Sequence, residues 1–443
     1  MTAIEQYQIR ASSAAELVRA VEAAVAAGEL TPGQRLPSVR QLAAKVGLSL
    51  ATTASALAEL RRRGVVLSEP RRGSRIGEAP PIGAPRAAVP IPPGARDLSR
   101  GNPDPSLLPD ISSALAKLRG PMRLYGQQAD VPELIELARE RLTTDGIPAQ
   151  SLCVVSGALD GIERVLAAHL RPGDRVAVEN PGYAALFQLL RARGFGLDPV
   201  AIDEKGMLPD LLQYTLKRGA KAVVVTPRGQ NPTGAALDGE RAERLRAVLA
   251  QSPQTLLVED DHLGEVAGAP LHTLAGASER WAATRSVAKT LGPDLRLAVL
   301  AGDRESIDRV QGLQACGPGW VSHILQRTVL ALLTDPQVSS LVAHARDIYT
   351  RRREHLLDCL KQAGIDVSAP SGLNVWVGVQ EESSAVGALL SRGWVVSPGV
   401  PYRLGGTSPA IRITVSTLKP VEAQQLAGEI AHLVNAPGGQ RSG

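Results

Sequence analysis

Lys289 and Asp260 are the residues of this sequence best suited to covalent chemistry on a cofactor. Lys289 stands in Ser286-Val-Ala-Lys-Thr-Leu-Gly, where small neighbours suit an amine that forms a Schiff base with an aldehyde. Asp260 ends a predicted strand twenty-nine residues earlier, and a carboxylate there can keep a pyridinium nitrogen protonated. Together they predict a site for an aldehyde cofactor with a basic ring nitrogen.

Three further segments provide groups for an anionic ligand. Ser156-Gly-Ala-Leu-Asp leads a predicted strand into a helix, whose first backbone N–H groups suit a phosphate. Asn231-Pro-Thr-Gly makes a turn after the predicted strand at 222–225. Arg412 lies on a C-terminal strand, where its guanidinium can hold a carboxylate. Each segment alone is more typical of a turn, a cap or a surface ion pair, so the prediction depends on their combination.

The elements that position these groups alternate between strand and helix from about residue 97. Helical patterns cover 157–170, 183–193 and 239–251. They separate short β-rich runs at 153–155, 175–178, 222–225, 256–258 and 297–300. This alternation predicts an α/β fold with a mostly parallel sheet, which binds ligands at the carboxyl ends of its strands.

Length and composition predict a soluble protein of several domains. At about 100–200 residues per domain, 443 residues correspond to roughly two to four domains. Apolar residues make up 44%, and no apolar run approaches the ~18 residues of a membrane span. The N-terminus shows no secretory signal, so a cytoplasmic location is expected. Three scattered cysteines predict neither a disulfide framework nor a metal site.

Most of the net charge of +5 lies near the N-terminus. Residues 35–76 carry nine basic and two acidic side chains, which is typical of a surface that binds a polyanion, although a solvated basic face is the alternative. Three predicted helices begin near Ser13, Ser38 and Ser49 and end at Gly28, Gly47 and Gly64. Two short strands at 65–67 and 73–76 follow them. This order predicts a winged helix-turn-helix domain.

A Pro- and Gly-rich segment separates the two patterned regions. Residues 77–96 contain six prolines and three glycines, a composition that does not form a core. Such a segment behaves as a semi-stiff spacer with a reach of up to about 60 Å. A disordered tail is the alternative interpretation. The predicted organisation is a DNA-binding domain over 1–76, a linker over 77–96 and a ligand-binding domain over 97–435.

One long motif resembles the N-terminal domain of GntR-type regulators. It begins at Gly28 and reads Gly-Glu-Leu-Thr-Pro-Gly-Gln-Arg-Leu-Pro-Ser-Val-Arg-Gln-Leu-Ala. The resemblance implies binding of double-stranded DNA through Arg40, Ser49, Thr52, Thr53, Arg71 and Arg72. Leu50 stands where the family usually has an arginine, and a leucine can contact a thymine methyl but not a guanine edge. A protein-binding three-helix module is the alternative.

Residues 97–435 resemble the fold type I pyridoxal-phosphate proteins of the aminotransferase class I/II family. The resemblance implies that Lys289 forms the Schiff base with pyridoxal 5'-phosphate. Asp260 would bind its ring nitrogen, Asn231 its phenolic oxygen and Tyr183 its ring face. The remaining implied contacts are Ser286, Arg296, Ala158 and Leu159 on the phosphate, Tyr125 on the phosphate of a partner subunit, and Arg412 on a ligand carboxylate.

Two residues depart from that pattern or lie beside it. His262 stands where relatives have a tyrosine near the phenolic oxygen. Its imidazole either donates the same hydrogen bond or serves as a cap or a solvent-facing side chain. Arg228 lies close to Asn231 and is either a ligand-selecting residue or, as is more usual, a strand-end surface arginine.

The two domains together resemble the MocR-type transcription regulators. Matches at 101–110, 286–297 and 320–323 indicate their PtsJ-type branch. That resemblance implies a head-to-tail homodimer that senses pyridoxal phosphate and controls vitamin B6 metabolism, in particular a pyridoxal kinase gene, from an operator with paired half-sites. It favours a sensor over regular turnover. The alternatives are an active aminotransferase with a DNA-binding appendage and a cofactor-binding scaffold that does not bind DNA.

Overall fold

The computed structural model describes residues 11–26, 29–31, 33–62, 65–69, 73–77, 91–119, 123–405 and 407–435. These residues form two compact units. The first contains the described residues up to 77 together with 170–176 and 187–197, and the second contains the others. The helix ends predicted at Gly28 and Gly64, the wing residues Arg71 and Arg72, and most of the linker lie outside the described residues.

The N-terminal unit has the element order of a winged helix-turn-helix. Its elements are α1 (Ala14–Ala26), α2 (Val39–Val46), α3 (Leu50–Arg62), β1 (Val66–Glu69) and β2 (Gly73–Ile76). At the start of α2, Ser38 and Gln41 form a reciprocal capping box, and Gly47 ends the helix in the left-handed conformation at φ 72°. The chain therefore turns sharply into α3, as the sequence predicts.

Apolar side chains from all three helices and both strands form the core of this unit. Leu17, Leu42 and Leu57 represent the three helices in it, and Val66 and Ile76 come from the two paired strands. Burying this apolar surface stabilises the unit, because each fully buried leucine or valine contributes about 1.5–3 kcal/mol. The opposite face of α2 exposes Arg40, Gln41 and Lys45, whereas the opposite face of α3 exposes mainly small or apolar side chains.

From residue 96 onward the chain alternates strands and helices, and all of it except the segments 170–176 and 187–197 belongs to the second unit. Its strands are β3 (Arg96–Asp97), β4 (Ser151–Val155), β5 (Arg175–Asn180), β6 (Gly196–Asp203), β7 (Gly206–Met207), β8 (Ala222–Val225), β9 (Leu256–Asp261), β10 (Trp281–Ser286), β11 (Ala298–Gly302), β12 (Asn374–Gly378), β13 (Trp394–Val395), β14 (Ser397–Pro398) and β15 (Ala410–Thr414). Its helices are α4 (Ile111–Ala116), α5 (Pro132–Thr144), α6 (Ala158–His169), α7 (Ala184–Ala192), α8 (Pro209–Lys217), α9 (Gly239–Ala250), α10 (Arg304–Ala315), α11 (His323–Leu333), α12 (Pro336–Gln362), α13 (Glu382–Ser391) and α14 (Pro420–Asn435).

An eight-stranded sheet in the order β4-β11-β10-β9-β8-β5-β6-β7 forms the centre of this unit. Strands β8, β9 and β10 run parallel, whereas β11 is antiparallel to both of its neighbours. The predicted α/β class is confirmed. The sequence interpretation missed β10 and β6, because Trp281-Ala-Ala-Thr-Arg-Ser has no run of β-branched residues and β6 contains a proline.

The register between β9 and β10 determines which side chains meet on each face of the sheet. Asp260 pairs with Thr284, and Asp261 pairs with Arg285. Because side chains alternate along a strand, Asp260 and Thr284 share one face while Asp261 and Arg285 share the other. Lys289 follows the end of β10 by three residues, so it joins the carboxyl end of the sheet.

A smaller sheet, β12-β15-β14, lies near the C-terminus of the chain and carries Arg412 on its central strand. Arg412 pairs with Trp376 on one side and Ser397 on the other, both in antiparallel register. A separate apolar core, which includes Leu356, Val375 and Leu426, stabilises this sheet against its helices. Among the described helices, none has the length and apolar content needed to cross a bilayer.

Candidate functional site

Lys289 presents its amine at the carboxyl end of the large sheet. Its Nζ donates a hydrogen bond to the carbonyl oxygen of Gly101 at 2.7 Å. Burial, together with the nearby charge of Arg412, lowers the pKa of Lys289 to about 8. About one tenth of the amine is therefore unprotonated at pH 7, far more than for an ordinary lysine, and this is the state that attacks an aldehyde.

Asp260 lies at the end of β9 with only 6% of its surface exposed. Thr284 on the neighbouring strand donates a hydrogen bond to its Oδ1 at 3.2 Å. Burial raises the pKa of Asp260, while the adjacent His262 opposes that shift. A cationic ring nitrogen placed here would provide the charge that the buried carboxylate needs.

His262 is half-buried and lies within electrostatic range of both Asp260 and Lys289. Burial lowers the pKa of its imidazole, which favours the neutral ring near pH 7. A neutral imidazole still has one N–H group to donate. Half-burial argues against a fully solvent-facing ring, and a hydrogen bond from His262 to a cofactor stays a prediction.

Arg412 extends from β15 into the same region and is 4% exposed. Its Nη1 donates to Asn231 Oδ1 at 3.0 Å, and its Nη2 donates to the carbonyl oxygen of Ser99. The guanidinium lies over the ring of Tyr402, with 4.9 Å between the Arg412 Cζ and the ring centroid. These contacts fix the guanidinium plane, while its buried Nε has no partner among the described atoms. A carboxylate is the ligand group that such an oriented guanidinium suits.

A phosphate-sized anion has a cradle at the start of α6. Gly157 precedes the helix at φ 98°, and a Cβ there would lie 3.0 Å from Arg296 Nη2. The N–H groups of Ala158 and Leu159 belong to the first helical turn, where backbone donors lack intrahelical acceptors. Buried Ser286 is the fourth predicted contact of this cradle.

Arg296 has an unusual backbone conformation. At φ 43° and ψ 49° it is left-handed, and it is the one non-glycine residue with a positive φ that the described chain shows. This conformation costs about 1–2 kcal/mol for a residue with a Cβ. Its Nη2 points to the carbonyl oxygen of Ser156 at 3.5 Å, so the strained turn directs the guanidinium to the anion cradle.

The loops that carry Asn231 and Tyr183 are connected by a fully buried glutamine. Gln230 Nε2 donates to Glu179 Oε2 at 3.1 Å and to the carbonyl oxygen of Pro181 at 2.9 Å. Its Oε1 accepts from the backbone and the hydroxyl of Thr233. All four hydrogen-bonding positions of the amide are used, so Gln230 holds both loops in one arrangement.

Tyr183 is half-buried, and burial together with the Asp260 charge raises the pKa of its phenol. Burial also raises the pKa of Glu179 to about 7, so this carboxyl contributes little negative charge below neutral pH. The cations Lys289, Arg296 and Arg412 outnumber the ionised carboxylate of Asp260. The site therefore suits a ligand with more than one negative charge.

Tyr125 lies at the surface, 90% exposed, and packs edge to face on Trp320 with 5.5 Å between ring centroids. The structure does not place it among the site residues of its own chain. The sequence assigned no role to Gly101, Thr284, Gln230 and Tyr402. Gly101, Thr284 and Tyr402 contact site residues, and Gln230 connects the loops that carry Asn231 and Tyr183. Only the register of β10 could have indicated Thr284, and that strand was not recognised.

Arg228 is a buried residue and not a strand-end surface arginine. Its Nε and Nη2 donate to the two carboxylate oxygens of Asp261, each at 3.0 Å. The residue is 7% exposed, so this bidentate pair is largely shielded from water. The more usual interpretation of the sequence was therefore wrong, and Arg228 points to the face of the sheet opposite Asp260.

Of the six predicted DNA contacts, Arg40 and Ser49 are exposed in the N-terminal unit, Thr52 is half-buried, and Arg71 and Arg72 lie outside the described residues. Arg40 is exposed on α2, and Ser49 is exposed just before α3, where its Oγ accepts from the Thr52 N–H at 3.0 Å. Leu50 is 51% exposed. The predicted DNA contact of Thr53 is contradicted, because this side chain is fully buried. Its spacing of four residues before Leu57 places it on the inner face of α3, a signal the sequence contained.

Two family descriptions match the chain. "Aminotransferase class I and II" matches residues 95–430, and "Bacterial regulatory proteins, gntR family" matches residues 13–76. The chain is 38% identical to the vitamin B6 salvage pathway transcriptional repressor PtsJ of Salmonella typhimurium, over 96% of this chain and 100% of that protein. It is 27% identical to the pyridoxine biosynthesis transcriptional regulator PdxR of Corynebacterium glutamicum, over 78% of each.

Solved structures show the fold of the second unit. The α-aminoadipate aminotransferase LysN from Thermus thermophilus superposes with a TM-score of 0.69 at 21% identity, over 78% of this chain and 93% of that one. The aspartate aminotransferase from the same species superposes with a TM-score of 0.68 at 23% identity, over 76% and 91%. The second unit therefore has the aminotransferase fold.

Replacing Arg412 by methionine is expected to raise the pKa of Lys289, because a neighbouring cation opposes protonation of the amine. At pH 8 the unprotonated fraction of Lys289 then falls below the roughly one half expected for a pKa of about 8. The pH dependence of dinitrofluorobenzene labelling of Lys289, followed by mass spectrometry, measures this shift. The exposed Lys217 serves as the internal reference. Equal or faster labelling of Lys289 in the variant at pH 8 would contradict the assignment.

Proposed function

The chain belongs to the aminotransferase class I and II family and joins that domain to a gntR-type domain, and from this premise we propose that it is a transcription regulator that senses pyridoxal phosphate. Two observations in the same chain carry the proposal. The start of α3 is exposed, and Lys289 and Asp260 lie at one edge of the large sheet. The full-length similarity to PtsJ supports it, and it extends to control of vitamin B6 genes such as a pyridoxal kinase.

The residues of the second unit fit pyridoxal phosphate by the chemistry of their donors. Asp260 would hold the ring nitrogen protonated, and the anion cradle before α6 would bind the phosphate with Ser286 and Arg296. Asn231 and His262 would donate to the phenolic oxygen, and Tyr183 would cover the ring. When bound, this cofactor supplies an electrophilic aldehyde and a ring that delocalises electrons. Lys289 would hold it covalently, and the orphan donor of Arg412 would bind the carboxylate of a co-ligand.

The exposed residues of α2 and of the start of α3 support binding to double-stranded DNA in the cytoplasm. Arg40 projects from α2, and the start of α3 presents Ser49 and Leu50 outward. Arg71 and Arg72 of the wing remain predicted minor-groove contacts. Basic side chains position the protein on phosphates, while the start of α3 reads bases in the major groove.

An exposed apolar surface on the second unit supports a head-to-tail homodimer. Tyr125 is 90% and Leu124 65% exposed, and Ile324 is 53% exposed. Large apolar side chains grouped in this way are typical of an interface. In such a dimer Tyr125 would contact the cofactor phosphate of the partner subunit, and the two reader domains would meet paired half-sites. A ligand that binds one dimer arrangement better would then shift the affinity for the operator.

Replacing Lys289 by alanine tests sensing. We expect the variant to lose the borohydride-reducible absorption band of pyridoxal phosphate and the effect of this ligand on a DNA footprint. The surface variant Lys217→Ala should keep both properties, because its side chain is exposed on α8. A footprint that responds to pyridoxal phosphate as strongly in the Lys289 variant as in the native protein would exclude covalent sensing at this residue.

Replacing Arg40 by alanine tests DNA reading. Loss of this contact should weaken operator binding by about 1–3 kcal/mol, roughly 5- to 150-fold. The matched control is Thr53→Val, which removes a buried hydroxyl without changing shape and should leave the affinity within about threefold. Fluorescence anisotropy with a labelled operator at fixed salt measures both. A large loss in the Thr53 variant together with a native affinity in the Arg40 variant would reverse the assignment of the two residues.

Transamination is the second candidate function, because Lys289, Asp260 and Arg412 are the groups that such a reaction also uses. Regular turnover is not expected, since a histidine at position 262 replaces the tyrosine of catalytic relatives. Spectra recorded while single amino acids are added distinguish the two functions. Conversion of the bound cofactor to its amino form on a time scale of hours or slower supports the sensor. Conversion within seconds, followed by turnover with a keto acid, would establish the enzyme.

A further inference from the structure

Asp261, the neighbour of Asp260, is held between two arginines on the face of the sheet that points away from the cofactor site. Arg228 binds both of its carboxylate oxygens at 3.0 Å. Arg285, its register partner on β10, places Nε 2.6 Å from Asp261 Oδ2. Asp261 and Arg285 lie at the ends of β9 and β10, and Arg228 follows the end of the adjacent β8, so the sheet itself brings the three residues together.

A fourth charge completes this group. Arg285 Nη1 lies 2.8 Å from Asp145 Oδ2, at the end of α5. We refer to Arg228, Asp261, Arg285 and Asp145 as the charge clamp. Its two positive and two negative charges sum to zero. Glu265 lies near Arg285 but is itself paired with Arg141 at 3.2 Å, so it leaves the balance unchanged.

Stability alone does not account for the charge clamp. Asp261 is 2% exposed and Arg228 7% exposed, and taking ions out of water costs most of what their attraction returns. An apolar group of similar volume would fill the same space at no such cost. What the charge clamp does provide is a full compensation of the Asp261 charge immediately beside Asp260.

Asp260 needs that compensation because it is surrounded by titratable groups. Glu259 and Asp261 flank it on β9, and His262 lies just beyond that strand. Thr284 faces it from β10, and Glu179 and Tyr183 lie near it from β5 and the following loop. A bare charge on Asp261 would oppose ionisation of Asp260. Although burial raises the pKa of Asp261, Arg285 and Arg228 hold it below its usual value, so this carboxylate is charged whenever Asp260 must be.

We propose that the charge clamp is a positioning element that keeps Asp260 ionised and aimed at the cofactor ring, and that its net charge sets the pH at which the bound cofactor titrates. This inference rests on the proposed binding of pyridoxal phosphate at Lys289. Arg228 and Asp261 act through Asp260 and do not touch the ligand themselves.

The experiment follows the visible absorption of the full-length protein with bound pyridoxal phosphate as a function of pH. Arg228→Met leaves the charge clamp at −1, which stabilises positive charge at the cofactor and should raise the pH midpoint of the absorption change. Asp261→Asn leaves it at +1 and should lower the midpoint. Each shift is expected to be on the order of half a pH unit or more. The double variant restores neutrality and should return to within about 0.2 unit of the native midpoint.

Two further variants keep the test decisive. Asp145→Asn changes the charge at the half-exposed end of the charge clamp, where folding is least affected, and should lower the midpoint by a smaller amount. Asp347→Asn, an exposed carboxylate outside the charge clamp, should leave the midpoint unchanged. Shifts of the same sign in the Arg228 and Asp261 variants, or no shift in any variant, would overturn the proposal. A native protein that shows no cofactor band would instead refute the proposed function.

Discussion

The burial of one carboxylate, that of Asp260, is the constraint on which the second unit depends. A carboxylate that is 6% exposed requires partners to be ionised, and the chain provides a hydroxyl from Thr284 and a nearby imidazole from His262. The other features of the site follow from this requirement. Strands β9 and β10 must pair in the register that brings Thr284 to Asp260. On the opposite face of the sheet, Arg228 and Arg285 must neutralise Asp261.

The site is assembled from segments that are far apart in sequence. Lys289 bonds Gly101, and Arg412 bonds both Ser99 and Asn231. These contacts connect the first residues after the linker with the large sheet and with the small C-terminal sheet. In the aminotransferase fold, residues of the first segment and of the last strand therefore contribute to the same site. Loss of any one segment would leave buried polar groups without partners.

The sequence predicted those features that depend on interactions between residues close together in the chain. The capping box at Ser38, the stop at Gly47 and the alternation of strands with helices all depend on neighbours within a few residues, and the structure has each of them. The strand β10 that precedes Lys289 was not recognised, because its sequence lacks a β-branched run. The positions predicted for the cofactor contacts remain predictions, since they describe bonds to a ligand.

Tertiary pairing was not predictable from the same patterns. The sequence around Arg228 is typical of a surface position. Only the pairing of three neighbouring strands brings its guanidinium to Asp261. The prediction of a DNA contact for Thr53 was wrong for a simpler reason. Its spacing of four residues from Leu57 places it on the inner face of α3. The hydrogen bond from Lys289 to Gly101 also orients the nitrogen. A neutral amine that donates one N–H keeps its lone pair, so it can be held in place and still attack an aldehyde.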